Sequence, residues 1–118
     1  MSIRLIEACR ICDISKVIEY LNTGDDPSDI NNLAIRWASE NGHFEVVKLL
    51  LEDERVDPSD CNNYAIQITS ENGHFEVVKL LYHDYRFKMT DNLYKDKCVM
   101  NMIYQIRQDK LNDLCQIY

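Results

Sequence analysis

The sequence predicts an all-α solenoid of about four helix-turn-helix units, and three observations lead to this prediction. The twelve residues 39–50 recur letter for letter at 70–81, a spacing of 31 residues. Over the longer stretch 26–50, 20 of the 25 positions match 57–81. In each copy, apolar residues of helical period lie on both sides of a glycine. A repeat of this length is typical of a solenoid, in which each unit buries its apolar face against its neighbours.

The first helix of each unit is predicted from its capping residues and its apolar face. In the second unit, Asn31 and Asn32 can cap its first turn, because an asparagine side chain accepts hydrogen bonds from unpaired N–H groups. Ile35 and Ala38 supply apolar contacts one turn apart. Gly42 is expected to end this helix, since glycine adopts the left-handed conformation that often terminates helices.

The second helix of the unit is predicted to start at His43. Its apolar face consists of Phe44, Val47 and Leu50, which recur at helical spacing. The charged run 52–55 that follows is interpreted as a solvated end. Only the first half of the unit differs between the two copies, so the second half is expected to build the stack.

We expect a single domain, 1–118, divided into four units. The boundaries fall at about 1–25 (an N-terminal cap), 26–56, 57–87 and 88–118 (a divergent C-terminal cap). The first unit is a divergent copy of the repeat, in which Cys12 replaces the glycine of the later copies and Asp13 can cap the second helix. Charged residues make this unit more polar than the central ones, as the end unit of a solenoid should be.

The last unit is predicted to contain a helix from about 92 to 107, followed by a break. After residue 108 the apolar stripe changes phase, and Asp109 is interpreted as the cap of a last short helix. The apolar residues of that helix are Leu111, Leu114, Cys115 and Tyr118. An apolar end of this kind is a candidate surface for self-association.

Composition excludes several classes of partner. The net charge of −7 disfavours binding to nucleic acid phosphates, which requires a basic surface. It equally disfavours an anionic membrane surface, and no apolar run approaches the ~18 residues of a membrane span. Arg4, Glu7 and Arg10 interrupt the N-terminal apolar pattern, which is therefore not read as a signal peptide. Five cysteines, an odd number, favour a reducing intracellular location, the cytoplasm or the nucleus.

The repeated block resembles a known family. Residues 38–50 read A-S-E-N-G-H-F-E-V-V-K-L-L, which is similar to the A-A-x-x-G-H-L-E-V-V-K-L-L-L block of the ankyrin repeat. The Asp-Pro-Ser-Asp and Asn-Asn variants resemble ankyrin arrays of giant DNA viruses, which implies a site of action in an infected host cell. The family fold is a stack of antiparallel helix pairs whose connecting loops project as a row of fingers.

The chain departs from the family pattern in three ways. Residues 33–36 and 64–67 replace the family's Thr-Pro-Leu-His tetrapeptide, so the turn that the threonine and histidine normally stabilise cannot form in the same way. The unit has 31 residues rather than about 33, which predicts shortened finger loops. The glycine that usually ends the second helix is missing, and Asp53 and Glu54 occupy that region.

The resemblance implies a non-catalytic module that binds a partner protein or peptide on the concave surface. Carried over to the matching positions, that surface contains Asp29, Asn31, Asn32, Arg36, Glu40, Asn41, Asp60, Asn62, Asn63, Gln67, Glu71 and Asn72. Because these side chains are mostly amides and carboxylates, a basic or polar peptide suits the surface better than an acidic one. The sequence contains no catalytic constellation, phosphate-binding loop or metal-ligand cluster, so neither enzymatic activity nor a cofactor is expected.

Two alternatives remain open at this point. Cys9 and Cys12 form a Cys-x-x-Cys pair, which could belong to a metal- or redox-sensitive regulator, although no second pair follows. The other alternative is a structural ankyrin fragment that self-associates through the helices of residues 99–118. We expect a monomer unless that end is an interface.

Overall fold

The computed structural model describes the backbone of residues 2–117 and the side chains of residues 2–114. Eight helices and no β-strand occur among these residues, which confirms the all-α prediction and agrees with the shortened fingers. The helices are α1 (Ile3–Arg10), α2 (Ile14–Asn22), α3 (Asp29–Glu40), α4 (Phe44–Leu51), α5 (Asp60–Glu71), α6 (Phe75–His83), α7 (Asp91–Tyr94) and α8 (Lys97–Ile117).

The helices form two layers. The first helices of the first three units, α1, α3 and α5, pack against one another in that order, and α8, the second helix of the last unit, packs against α5. The helices α2, α4 and α6 form the outer layer. Apolar residues between the layers are fully buried, for example Ile35, Val47 and Leu50 in the second unit. The resulting solenoid measures 47 × 32 × 23 Å.

The turn between the two helices of a unit is confirmed as a left-handed helix end. Gly42 and Gly73 have φ angles of 71° and 78°, and Cys12 has the same conformation with φ of 62°. A non-glycine residue is unfavourable in this region, so the first unit forms the same turn at an energetic cost. Asp13 caps α2 as expected, because its carboxylate accepts a hydrogen bond from the Lys16 N–H at 3.2 Å.

The prediction that Asn31 and Asn32 cap the first helix is wrong. Ile30, Asn31 and Asn32 form a left-handed turn, with φ of 53°, 52° and 58°, and residues 61–63 do the same in the third unit. Asparagine tolerates this conformation, whereas a β-branched isoleucine does not readily adopt it. The Asn32 side chain is directed to the next unit and caps no N–H group of its own helix.

The predicted break near Asp109 is also wrong, because α8 runs from Lys97 to Ile117 without interruption. Asp109 lies inside the helix and accepts a hydrogen bond from Gln105 one turn earlier, at 2.8 Å. The interruption comes before α8, where Asp96 accepts from the Val99 N–H at 3.1 Å. The fourth unit therefore consists of a short helix and one long helix.

The change of phase in the apolar stripe turns its later residues away from the core. Ile106 is buried, but Leu111 and Leu114 are 52% and 45% exposed. The predictions for the side chains of Cys115 and Tyr118 lie outside the described residues.

The charged run 52–55 is largely solvated, as predicted, because Glu52, Glu54 and Arg55 are exposed and Asp53 is only partly buried. The corresponding segment after α6 also joins adjacent units through Arg86. Arg86 forms an ion pair with Asp84 at 2.8 Å. Its guanidinium also donates to the backbone oxygens of Leu51, Asp53 and Val56 in the preceding unit, at 2.6–2.9 Å. The Leu51 carbonyl is the last of α4, and those of Asp53 and Val56 follow the helix, so none of them has a partner within it. Arg86 therefore stabilises the helix end at which the family glycine is missing.

Candidate partner-binding surface

We call the exposed side of α1, α3 and α5, opposite the outer helices, the inner face. In α3, the side chains that face away from the core recur at helical spacing, and in α5 the corresponding positions do the same. The partly or fully exposed positions are Leu33, Arg36, Trp37 and Glu40 in α3 and Tyr64, Gln67, Ile68 and Glu71 in α5. Each helix therefore contributes one stripe that combines apolar and polar groups.

Hydrogen bonds hold the stripes of adjacent units in register. The side-chain amide of Asn72 donates to the backbone oxygen of Glu40 at 2.9 Å. The Nε2 atom of His74 donates to the same oxygen at 3.1 Å, and that of His43 donates to the Arg10 oxygen at 2.8 Å. The last turns of α1, α3 and α5 consequently lie side by side. His43 and His74 have a structural role here, in agreement with their position at the start of the second helices.

Two of the residues predicted to contact a partner are instead interior. Asn32 and Asn63 are only 5% and 2% exposed. The Oδ1 atom of Asn32 accepts from the Asp57 N–H at 2.8 Å, and its Nδ2 atom donates to Asp60 at 2.9 Å. Asn63 donates to the Thr90 hydroxyl at 3.2 Å. These amides tie each unit to the loop of the next, which corrects their assignment to the binding surface.

Asp29 and Asp60 take part in the same links between units. Asp60 accepts from Asn32 with one carboxylate oxygen and from the Cys61 N–H with the other, at 2.9 and 2.8 Å. Asp29 is bound in the same way by the N–H groups of Ser2 and Ile30, at 2.7 and 3.1 Å. Both are partly buried, so their carboxylates mainly stabilise the stack.

Two further residues that were predicted to contact a partner form hydrogen bonds to the left-handed turns. Arg36 donates to the backbone oxygens of Asn31 and Ile30 at 3.0 and 3.2 Å. Gln67 donates to the backbone oxygen of Asn62 at 3.2 Å. The side chains of Asn31 and Asn62 are exposed at the edge of the inner face. Arg36 and Gln67 therefore occupy the surface while fixing the shape of the turn before it.

Glu40 and Glu71 are the acidic groups that remain on the inner face. In the first unit, the corresponding Arg10 is paired with Glu7. Among the described residues, no Lys or Arg nitrogen lies within 4 Å of the Glu40 or Glu71 carboxylate. Asn41 and Asn72 stand next to them and are exposed. This end of the inner face thus presents carboxylates and amides to the solvent.

The charge of the chain is concentrated in its two central units. Residues 26–56 contain seven Asp and Glu against three Lys and Arg, and residues 57–87 contain five against two. The first unit has four acidic and three basic residues, and the last unit has four acidic and five basic ones. The negative potential of the chain is therefore centred on the units that contain Glu40 and Glu71.

The Cys9–Cys12 pair is placed unfavourably for thiolate chemistry. Cys9 is completely buried, and this burial raises the pKa of its thiol to about 12, with a smaller contribution from nearby Cys12. The Cys9 thiol therefore remains protonated at neutral pH, whereas a metal ligand or redox nucleophile acts as the thiolate. The described part of the chain contains no group of three or more His, Cys, Asp or Glu residues arranged to hold a metal ion.

The outer helices carry a groove of about 420 Å³ between α4 and α6. Phe44, Leu51 and Leu80 contribute its apolar wall, and Lys48 and Lys79 are also part of its lining. Phe44, predicted as part of the apolar helix face, is thus only partly buried. Across residues 2–117, none of the helices combines the length and the apolar character needed to cross a membrane.

Sequence reasoning missed the residues that join one unit to the next. The signal was present for Arg86, because Asp-x-Arg occurs at 53–55 and again 31 residues later at 84–86. The left-handed turns gave a weaker signal, the repeated Asn-Asn pair, which is equally compatible with a helix cap.

Comparison with known proteins agrees with this architecture. The family model for ankyrin repeats, in three copies, matches residues 5–92. Searches of the curated proteins and of the solved structures gave no match. The matched region begins within α1, includes the rest of the first three helix pairs and ends within α7.

Proposed function

Because the chain belongs to the ankyrin-repeat family, we propose that it is a non-catalytic module that binds a partner protein on the inner face. Ankyrin repeats are generally protein–protein interaction modules. The observation that favours this face is the pair of carboxylates at Glu40 and Glu71, which lie on adjacent, registered helices without a cationic partner among the described residues. Solvated charges in this arrangement give a surface that can select a partner by complementary charge.

The surface proposed here is smaller than the set predicted from the sequence. It keeps the two acid–amide pairs, Glu40 with Asn41 and Glu71 with Asn72. The turn residues Asn31 and Asn62 extend it on one side. Arg36 and Gln67 border this surface. The buried amides of Asn32 and Asn63 and the carboxylates of Asp29 and Asp60 stabilise the stacking of the units instead.

An affinity pull-down from the cell that expresses the protein tests this proposal. The variant carries Glu40→Gln, Asn41→Ala, Glu71→Gln and Asn72→Ala together, and we expect it to lose at least ten-fold in captured partner. Glu45→Gln with Glu76→Gln is the matched control, because these exposed glutamates lie in the same repeated block but on the outer helices. Equal capture by the wild type and the four-residue variant, with both chains folded, would place the binding surface elsewhere.

We also propose an intracellular location, which is supported by the free thiols of Cys9, Cys12, Cys61 and Cys98. Action inside an infected host cell remains part of this proposal, on the basis of the resemblance to viral arrays. No zinc or redox role is proposed for Cys9 and Cys12.

Self-association through the end of α8 is a second candidate function, favoured by the exposure of Leu111 and Leu114. Exposed leucines one turn apart form an apolar stripe that a second helix can cover. If this stripe is an interface, we expect light scattering to show a dimer at about 100 μM that dissociates on Leu111→Lys, an added charge that an apolar interface tolerates poorly. A constant monomer mass between about 5 and 100 μM contradicts self-association and leaves the inner face as the functional surface.

A further inference from the structure

We propose that the inner face binds an extended, basic segment of its partner in which lysine or arginine recurs at every third position. One cation pairs with Glu40 and the next pairs with Glu71. This inference rests on the proposed function and specifies the chemistry of the partner.

The spacing follows from how the units are stacked. Packed helices lie about 8–10 Å apart, and the hydrogen bond from Asn72 to the backbone oxygen of Glu40 places the ends of α3 and α5 directly side by side. An extended or polyproline-like chain advances about 3.1–3.4 Å per residue. Three residues of such a chain therefore span one unit, which brings the cations at positions i and i+3 opposite successive glutamates.

The choice of cations follows from the neighbours of Glu40 and Glu71. Arg36 lies one turn before Glu40, the position from which an arginine commonly pairs with a glutamate on a helix. Its guanidinium is instead bound to the carbonyl oxygens of the left-handed turn. The corresponding residue in the third unit is Gln67, which carries no charge and makes the same kind of bond. Both glutamates are thus left for an external cation.

The inner face also provides an apolar platform for such side chains. Trp37 and Ile68 lie one turn before Glu40 and Glu71 and are partly exposed. Lysine and arginine bury their methylene stems along apolar surface while the charged group remains solvated. An arginine above Trp37 gains a cation–π contact in addition. The platform and the carboxylate together favour a long cationic side chain over a short polar one.

The first unit limits the length of the site. Arg10 occupies the position of Glu40 and Glu71 there, and its charge is balanced by Glu7. A third partner cation in register would therefore face an arginine. We therefore expect the partner segment to contact two units. Its affinity should depend mainly on the spacing between the two cations that pair with Glu40 and Glu71.

Three synthetic twelve-residue peptides test the spacing. The first has four lysines at every third position, the second has the same composition with the four lysines in one block, and the third replaces the lysines of the first with glutamates. Binding is followed by fluorescence anisotropy of labelled peptide and by the emission of Trp37, the single tryptophan of the chain. We expect the first peptide to bind about five-fold more tightly than the second, as two weak exposed ion pairs would give, and the glutamate peptide to show no binding.

The variants identify the groups responsible. Glu40→Gln with Glu71→Gln should remove the preference for the spaced peptide, whereas Glu45→Gln with Glu76→Gln should preserve it. Raising NaCl from about 50 to 300 mM should weaken the binding of the spaced peptide more than it weakens the folding stability of the wild-type protein, because exposed ion pairs are screened. Equal affinities for the two lysine peptides, or a preference that survives Glu40→Gln with Glu71→Gln, would overturn the inference.

The outcomes separate this inference from the proposed function. A partner captured on the inner face without any preference for spaced cations supports the function and refutes the peptide chemistry. A spacing preference that requires Glu40 and Glu71 supports the peptide chemistry even when the pull-down captures no protein.

Discussion

An Arg86→Ala variant is expected to lose about 3–5 kcal/mol of unfolding free energy, the cost of breaking a buried ion pair by removing one partner. The Arg86 and Asp84 side chains are only 13% and 8% exposed. The substitution leaves the Asp84 carboxylate without its cation and removes the Arg86 donor from the carbonyls of Leu51, Asp53 and Val56. The Asp53 oxygen keeps a hydrogen bond from the Val56 N–H at 3.2 Å. Denaturation in urea, followed by circular dichroism, measures the loss.

Acid should reduce the difference between the wild type and this variant. Burial alone would raise the pKa of Asp84, but hydrogen bonds from the Arg86 side chain and backbone together lower it below its ordinary value. A lowered pKa in the folded state means that the stabilisation is present above the unfolded pKa of about 3.9 and is lost as the pH falls through the folded pKa. The free-energy difference should therefore shrink between about pH 5 and pH 2, without vanishing, because the bonds to the carbonyls persist.

Arg55→Ala is the matched control. Arg55 pairs with Asp53 as Arg86 pairs with Asp84, but its side chain is 47% exposed and its contact with the preceding unit is a single bond of 3.4 Å to the Asp25 oxygen. A loss of about 0–1 kcal/mol is typical of such a pair. Similar losses for Arg55→Ala and Arg86→Ala would show that the buried contacts of Arg86 do not stabilise the fold.

Gly42→Ala should destabilise the protein by about 2–5 kcal/mol, clearly more than Gly73→Ala at about 1–2 kcal/mol. Both glycines have positive φ, so both substitutions incur the cost of a left-handed alanine. A Cβ atom at Gly42 would also lie 2.6–2.8 Å from ring atoms of His74, whereas a Cβ atom at Gly73 meets no atom within 4 Å. Thermal and urea denaturation of the two variants gives the comparison.

A third substitution tests the cause of that difference. In a His74→Ala background, which removes the ring, the additional costs of Gly42→Ala and Gly73→Ala should become similar. The background itself loses the hydrogen bond to the Glu40 oxygen, so the comparison uses the increments and not the absolute stabilities. A persistently larger increment for Gly42→Ala would show that the ring is not the obstacle.

The sequence predicted the period of the solenoid, the all-α fold and the left-handed turn between paired helices because those features depend on residues close together in the chain. Gly42 and Cys12 occupy the same left-handed position, and the spacing of the repeat revealed both. The end of the last unit was less predictable. The apolar stripe changes phase near Asp109, but a change of phase fits a broken helix and a continuous helix with an exposed stripe equally well.

The candidate surface could be predicted only in part. Asn41, Glu71 and Asn72 are exposed and Glu40 is partly exposed, as their position at the end of a helix predicts. Asn32 and Asn63 belong to the same polar pattern, yet they are interior because the loop of the following unit covers them. Composition and spacing do not distinguish an amide that faces solvent from one that bonds to an adjacent unit.

The repeated block shows where local sequence stops determining the structure. Residues 39–50 and 70–81 are identical, and the sequence by itself determined that both form a helix end, a left-handed glycine and a second helix. Only the tertiary structure decided that the ring of His74 closes over Gly42, whereas no atom lies near a Cβ position at Gly73. The physical reason is that helices and turns form from contacts within a unit, whereas crowding, burial and pairing of charges depend on which unit lies next to it.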